Sequence, residues 1–307
     1  MKQRRLISFD WALKRLLRSK ANFEILEGFL SELLYDDIYI QEILESESNK
    51  DTPLDKYNRI DIKVKNTRGE LILIELQYQR ELDYLQRLLY GTARAVTEHI
   101  DEGEPYANVP KVISVSILYF DLGQGSDYIY VGQTSFKGLH ANDELNLSDG
   151  QKAMFHRNSV PELFPEYYLI KVNRFDDIAR DTLDEWVYFL KNEEIREEFT
   201  ARGLDKAKEQ LDILKLSEPE RKSYERYKDD LHYQASMVQS TYGVGKLEGH
   251  RDGEAAILTR QLQHRFGAVP DWASDQIAKA EPPSLEKWSL RFVDAKSLDD
   301  VFSDSSD

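Results

Sequence analysis

Hydrophobic residues recur at helical spacing in the first part of the chain. Between residues 9 and 35 leucine and phenylalanine return every three or four positions, which predicts two helices with a break near residues 19–22. Residues 38–44 alternate weakly between apolar and polar positions, as is typical of a short strand. The polar stretch 45–56 that follows predicts a loop.

A clear two-residue alternation comes next and predicts a β-hairpin. Residues 57–66 place isoleucine and valine on one face and charged side chains on the other. Residues 66–69 end in Gly69, which suits a tight turn, and residues 70–77 form the returning strand. A long helix is expected over residues 79–99, where leucines lie near one helical face.

Three further strands are predicted before the pattern changes. Residues 110–120 form a β-branched apolar run typical of a buried central strand, and residues 127–136 and 167–172 show strand patterns. Helices and strands mixed in this order indicate an α/β core that ends near residue 175.

The remainder of the chain is predicted to be helical. Of the 40 residues from 191 to 230, 22 are charged, so residues 176–242 are expected to form a charged helical region. Four glycines mark a connector over residues 243–254, and residues 255–302 have the pattern of a small helical module. Four apolar residues recur at three- and four-residue spacing and form a short apolar seam on one helix face: Leu204, Ala207, Leu211 and Leu214. Such a seam can pack against a partner helix, which favours self-association into a homo-oligomer.

Composition narrows the class of protein. The chain has 307 residues, no cysteine and a formal net charge of −15. The absence of cysteine excludes disulfides and thiolate metal sites, and a cytoplasmic location is expected. No apolar stretch approaches the roughly 18 residues of a membrane helix, so we expect no membrane partner. The acidic total disfavours nucleic acid as a partner, but the first 20 residues carry seven positive side chains and one negative.

The predicted hairpin carries the residues that best suit catalysis. Glu75 and Gln77 share one face of the returning strand, and the hairpin can bring Asp61 alongside them. Paired carboxylates suit Mg²⁺, which prefers oxygen ligands. The alternative is an amphipathic hairpin in which Glu75 forms an exposed ion pair with Lys63 or Arg59. Apolar residues on both sides of Glu75 favour the catalytic interpretation, because carboxylates are seldom buried without a partner or a metal.

Four segments together resemble a known family. They are Asp10-Trp-Ala-Leu-Lys14, Arg59-Ile-Asp61, Ile74-Glu75-Leu-Gln77 and Arg87-Leu-Leu-Tyr90. In this order they resemble the PD-(D/E)XK nuclease family transposases, the Rpn recombination-promoting nuclease group. The resemblance covers roughly residues 8–135.

The resemblance implies a restriction-endonuclease-like core, with a mixed sheet flanked by helices, and an all-α C-terminal region. It implies DNA phosphodiester hydrolysis with Mg²⁺ or Mn²⁺, with Asp61 and Glu75 as metal ligands and Gln77 as the third catalytic position. Many related nucleases have lysine where this chain has Gln77, and an amide cannot supply that positive charge. Lys63 is a candidate for the missing charge, and a solvated strand lysine is the alternative.

Other basic and aromatic residues are candidates for accessory roles. Arg87 and Tyr90 lie three apart on the predicted helix and either face the site or pack that helix on the sheet. Near the N-terminus, Lys14, Arg15 and Arg18 are candidates for contacts with DNA, and a solubilising helix face is the alternative.

Two functions therefore stand as hypotheses. The first is a metal-dependent DNA endonuclease, a Mg²⁺-dependent phosphodiester hydrolase acting in recombination or transposition. The second is a non-catalytic interaction protein that retains the nuclease fold and acts through its C-terminal helices.

Overall fold

The computed structural model describes residues 6–44 and 61–303. The chain divides into two compact units, residues 1–227 and residues 228–307. The predictions for residues 45–60, including Arg59, and for the ends of the chain lie outside the described residues.

The first unit holds all the strands of the described residues. Its elements in chain order are α1 (Phe9–Arg15), α2 (Phe23–Leu34), β1 (Ile40–Leu44), β2 (Ile62–Asn66), β3 (Leu71–Gln77), α3 (Tyr84–Thr97), β4 (Val112–Leu118), β5 (Ile129–Gly132), α4 (Asp149–Phe155), β6 (Glu166–Lys171), α5 (Thr182–Asn192) and α6 (Leu204–Gln210).

The strands form one mixed sheet in the order β1-β2-β3-β4-β6-β5. The β2–β3 hairpin is antiparallel, as predicted, and Gly69 in its turn has a φ of +77°. Strand β4 pairs in parallel with both β3 and β6. Strand β3 is therefore central, which explains why it is apolar on both faces.

Helices cover both faces of the sheet. Ile72 and Ile74 of β3 belong to the large core that also contains apolar side chains of α1, α2, α5 and α6. The alternate residues Leu71 and Leu73 pack with Ala95 of α3 on the opposite face. The predicted fold class, an α/β core with a mixed sheet flanked by helices, is confirmed.

The main core continues beyond the predicted end at residue 175. Trp186 of α5 is fully buried and packs edge-on against Phe9 of α1. Leu204, Ala207 and Leu211 are buried in the same core, so they do not present a seam to a second copy. These three positions therefore pack within the first unit, and homo-oligomerisation stays a prediction.

Helix α7 (Glu218–Phe266) includes the four glycines that were predicted to mark a connector. Continuous helix is compatible with glycine because each one costs only about 1 kcal/mol relative to alanine. The second unit continues with α8 (Asp271–Lys279), α9 (Pro282–Phe292) and α10 (Leu298–Phe302), and has its own small core around Leu258, Leu262 and Leu285. Within the described ranges, no helix combines the length and apolar character needed to cross a bilayer.

Candidate active site

Asp61 lies immediately before β2, beside Glu75 of the neighbouring strand. Ile62 pairs with Ile74 in the antiparallel register, so the preceding residue comes next to Glu75. The Leu76 backbone N–H donates to Oδ2 of Asp61 at 2.7 Å, which fixes the orientation of the carboxylate. The hairpin thus brings together the two carboxylates that the sequence predicted to converge.

Helix α1 adds a second carboxylate and an ammonium beside Asp61. Lys14 Nζ lies 2.6 Å from Oδ1 of Asp10 and 3.5 Å from Oδ1 of Asp61. Asp10 is buried, and its Oδ2 accepts a hydrogen bond from the Tyr227 hydroxyl. Arg18 donates to the backbone carbonyl of Asp61 at 2.9 Å. Lys14 of α1 and Arg18, which follows the helix, therefore lie at the site.

Helix α3 supplies the contacts of Glu75. Tyr84 is fully buried against Leu118 and Phe120, which anchors the start of the helix on the sheet. Its hydroxyl lies 3.5 Å from Oε2 of Glu75, and Arg87 forms an ion pair with the same carboxylate. Arg87 thus faces the site, which was one of the two alternatives for this residue.

Glu81 links Arg87 to the third predicted catalytic position. Both of its carboxylate oxygens accept from Nη1 of Arg87 at 2.7 Å. The side-chain amide of Gln77 donates to Oε1 of Glu81 at 2.8 Å and to the carbonyl of Gln79 at 3.3 Å. Gln77 is therefore held at the site as a neutral amide, on the side occupied by Glu81.

Favourable contacts only partly offset the cost of burying the charges of Asp61 and Glu75. Burial, together with the charges of Asp61 and Glu81, raises the pKa of Glu75 to about 7 against the opposing attraction of Arg87. Burial also raises the pKa of Asp61, although Lys14 and the Leu76 N–H oppose this. The pKa of Lys14 is raised because attraction to Asp61 and Asp10 outweighs its burial.

This donor set suits a hard divalent cation. Across residues 6–44 and 61–303, no group of three or more His, Asp or Glu side chains is arranged to hold a metal. Mg²⁺ nevertheless binds typically through one or two carboxylates, keeping several waters and adding substrate phosphate oxygens. Asp61 and Glu75 supply such a pair. Burial is the main cause of their raised pKa values, so a bound cation would favour the ionised form of each carboxylate.

Lys63 is buried and forms its ion pair with Glu98. Its ammonium is 3.2 Å from Oε2 of Glu98, at the end of α3. Because Glu75 pairs with Arg87 instead, the predicted alternative in which Lys63 pairs with Glu75 was wrong. Arg15 and Tyr90 are exposed, so neither is packed into the core of the sheet unit.

Sequence reasoning missed Glu81, Tyr84 and Tyr227, and gave Asp10 no chemical role. The four-residue spacing of Asp10 and Lys14 is a sequence signal for an ion pair on one helix face. Tyr227 carries no such signal, because it lies 217 residues from the Asp10 carboxylate that it contacts.

Comparison with known proteins identifies the family. A family model described as PD-(D/E)XK nuclease family transposase matches residues 7–241, well over half of the chain. The chain belongs to this family, as its motifs predicted, and membership indicates a nuclease-type function. Searches of the curated proteins and of the solved structures returned no match.

Proposed function

We propose that this protein is a metal-dependent endonuclease that hydrolyses DNA phosphodiesters, in recombination or transposition. The observation that carries the proposal is the adjacent pair of carboxylates, buried Asp61 and half-buried Glu75, at one end of a central hairpin. Family membership supports a nuclease-type function, and nucleases of this class typically use divalent metals.

Each side chain has a role in this proposal. Asp61 and Glu75 hold the cation, which when bound supplies charge stabilisation at the phosphate and a more acidic water. The Leu76 N–H orients Asp61, and Arg87 orients Glu75. The amide N–H groups of Gln77 donate to Glu81 and to the Gln79 carbonyl, so Gln77 offers its side-chain oxygen as an acceptor for a water at the edge of the site.

The exposed basic residues of the first helical segment suit the DNA backbone. Arg18 donates to the Asp61 carbonyl and Arg15 is exposed three residues earlier in the chain, so both charges are available to attract phosphates. They carry no base-reading pattern, so we propose contacts that position the duplex without selecting its sequence.

The test is nicking and linearisation of a supercoiled plasmid with Mg²⁺, Mn²⁺ or EDTA. We expect cleavage by the wild-type protein with metal, none with EDTA, and none by Glu75→Gln. Glu42→Gln is the matched control, because Glu42 is an exposed carboxylate on the edge strand of the same sheet. Metal-independent cleavage, or cleavage retained by Glu75→Gln, would contradict the proposal.

A second candidate function is supported by the pairing of each carboxylate with a basic side chain. Lys14 and Arg87 already neutralise part of the charge of Asp61 and Glu75, as expected of a non-catalytic protein that retains the nuclease fold. Such a protein would act through its C-terminal helices. Calorimetric titration with Mn²⁺ separates the two functions: the nuclease binds the ion at a site that Glu75→Gln removes, whereas the non-catalytic protein binds none.

A further inference from the structure

Two basic side chains contact the Asp61 and Glu75 carboxylates in the part of the chain that the structure describes. They are Lys14, on Asp61, and Arg87, on Glu75. They differ in how completely their hydrogen-bonding capacity is used by the protein. That difference decides which of the two is available to a substrate.

Arg87 is occupied within the protein. Its guanidinium binds both oxygens of Glu81 and one oxygen of Glu75, and its side chain is only 16% exposed. Turning toward a substrate would break several charged hydrogen bonds at once. Arg87 is therefore suited to positioning Glu75.

Lys14 has the opposite character. Its side chain is 42% exposed, and its ammonium has two carboxylate neighbours, Asp10 at 2.6 Å and Asp61 at 3.5 Å. An ammonium has three N–H donors, so these two contacts leave one donor for a further acceptor. The Asp10 anchor is itself fixed by the Tyr227 hydroxyl, so the ammonium is held beside Asp61.

Gln77 cannot take this role. Its amide is neutral and donates to Glu81 and to the Gln79 carbonyl. Lys63 is paired with Glu98 and is buried. The positive charge that stays available to a substrate next to Asp61 and Glu75 is therefore Lys14 of helix α1 rather than a residue of the sheet.

We propose that Lys14 is a catalytic residue, whose ammonium contacts a non-bridging oxygen of the scissile phosphate and stabilises the charge that develops there. This inference rests on the proposed function. In the hydrolysis, a bond forms between the water oxygen and phosphorus, and the bond from phosphorus to the leaving sugar oxygen breaks. The water gives a proton to solvent and the leaving oxygen takes one from solvent, so Lys14 stays protonated and contributes charge alone.

The experiment is single-turnover cleavage at saturating DNA and Mn²⁺, with DNA affinity and Mn²⁺ affinity measured separately. We expect Lys14→Met to slow cleavage by about 100-fold or more, the range seen when one transition-state donor is removed. Lys14→Arg should recover part of the rate because it keeps the charge. Mn²⁺ binding by Lys14→Met should be unchanged or tighter, because a competing cation beside Asp61 is gone.

Two further variants control for folding and for general charge. Asp10→Asn/Lys14→Met also removes the buried carboxylate that would be left without its ammonium, so a loss of cleavage in this folded variant supports the inference. Lys65→Met removes an exposed strand lysine and should cleave at the wild-type rate.

The outcomes distinguish this inference from the function on which it rests. Wild-type protein that does not cleave overturns both. Cleavage by wild type and by Lys14→Met at equal rates overturns the catalytic role of Lys14 alone. Loss of Mn²⁺ binding in Lys14→Met also overturns it, because Lys14 would then build the metal site and not act on the phosphate.

Discussion

Two glutamates of the hairpin, Glu70 just before β3 and Glu75 within it, have opposite electrostatic environments. Glu70, at the turn, is buried but accepts from Asn66 at 2.8 Å, Arg157 at 2.8 Å and Arg68 at 3.1 Å. These contacts outweigh its burial and lower its pKa, whereas burial raises the pKa of Glu75 to about 7. Burial alone therefore does not distinguish a structural carboxylate from a candidate ligand; the balance of donors and neighbouring charges does.

Glu70 therefore stabilises the fold, whereas Glu75 is the better candidate for binding a ligand. Asn66, Arg157 and Arg68 donate hydrogen bonds to the Glu70 carboxylate, so its charge is balanced within the protein and it is poorly suited to binding a ligand. Glu75 lies near two other carboxylates, Asp61 and Glu81, and shares Arg87 with Glu81. A bound cation would balance the negative charge of Glu75 that the protein leaves only partly balanced.

The largest expected effect is on cleavage by Glu75→Gln. The substitution keeps the shape of the side chain but removes the charge that we propose holds the metal. Single-turnover cleavage should fall by at least about 100-fold. The midpoint of urea unfolding in metal-free buffer serves as the folding control. A folded variant that still cleaves at the wild-type rate would remove Glu75 from the mechanism.

Glu70→Gln should change stability and leave chemistry intact. An amide accepts less strongly from Arg68 and Arg157. Arg68 keeps Asp36 as a partner, whereas Arg157 loses the carboxylate with which it pairs. We expect the free energy of unfolding to fall by about 2 kcal/mol, measured by urea denaturation. The cleavage rate per folded molecule should not change, and a selective loss of cleavage would refute the division of roles.

The stabilising effect of Glu70 should depend on pH in a defined direction. Its folded-state pKa lies below its ordinary value of 4.5, so the carboxylate stabilises the folded state above that pH. The stabilisation is lost as the pH falls below about 4.5 through the lower folded-state pKa. The difference in unfolding free energy between wild type and Glu70→Gln, measured from pH 7 down to pH 3, should therefore shrink only at the acid end. A difference that stays constant over this range would show that Glu70 acts through packing.

The smallest expected effect is that of Glu42→Gln on the edge strand. Glu42 and Lys65 form an ion pair at 4.0 Å with both side chains substantially exposed. Exposed pairs contribute little, so the free energy of unfolding should change by less than about 0.5 kcal/mol. Thermal and urea unfolding provide the measurement, and a loss above 1 kcal/mol would mean that the pair is more shielded from solvent than its exposure indicates.

Much of the sheet unit follows from local patterns. The hairpin strands β2 and β3, the following helix α3 and the central strand β4 lie within the segments that periodicity predicted. Their ends differ by a few residues; α3, for example, begins at Tyr84 rather than at residue 79. Alternation and helical periodicity reflect which face is buried, and burial is already encoded in neighbouring residues.

The end of the α/β core was harder to predict. The high fraction of charged residues after residue 190 suggested that the following helices lie outside the core. Helix α5 ends at the start of the charged stretch, residues 191–230, and helix α6 lies within it. The apolar residues of both helices are nevertheless buried in the same core as the sheet. A helix needs only one apolar stripe to pack, so a high charged fraction does not place it outside the core. Trp186, fully buried, illustrates this.

The sequence by itself determined the α/β class, the family and the convergence of Asp61 and Glu75 on one hairpin. These depend on short-range spacing and on strand register, which neighbouring residues specify. Only the tertiary structure decided which side chains surround that pair. Lys63 forms an ion pair with Glu98. Lys14 contacts Asp61 and also pairs with Asp10, whose carboxylate accepts a hydrogen bond from the Tyr227 hydroxyl. Contacts between residues so distant along the chain depend on how helices pack on the sheet, and no local pattern specifies that packing.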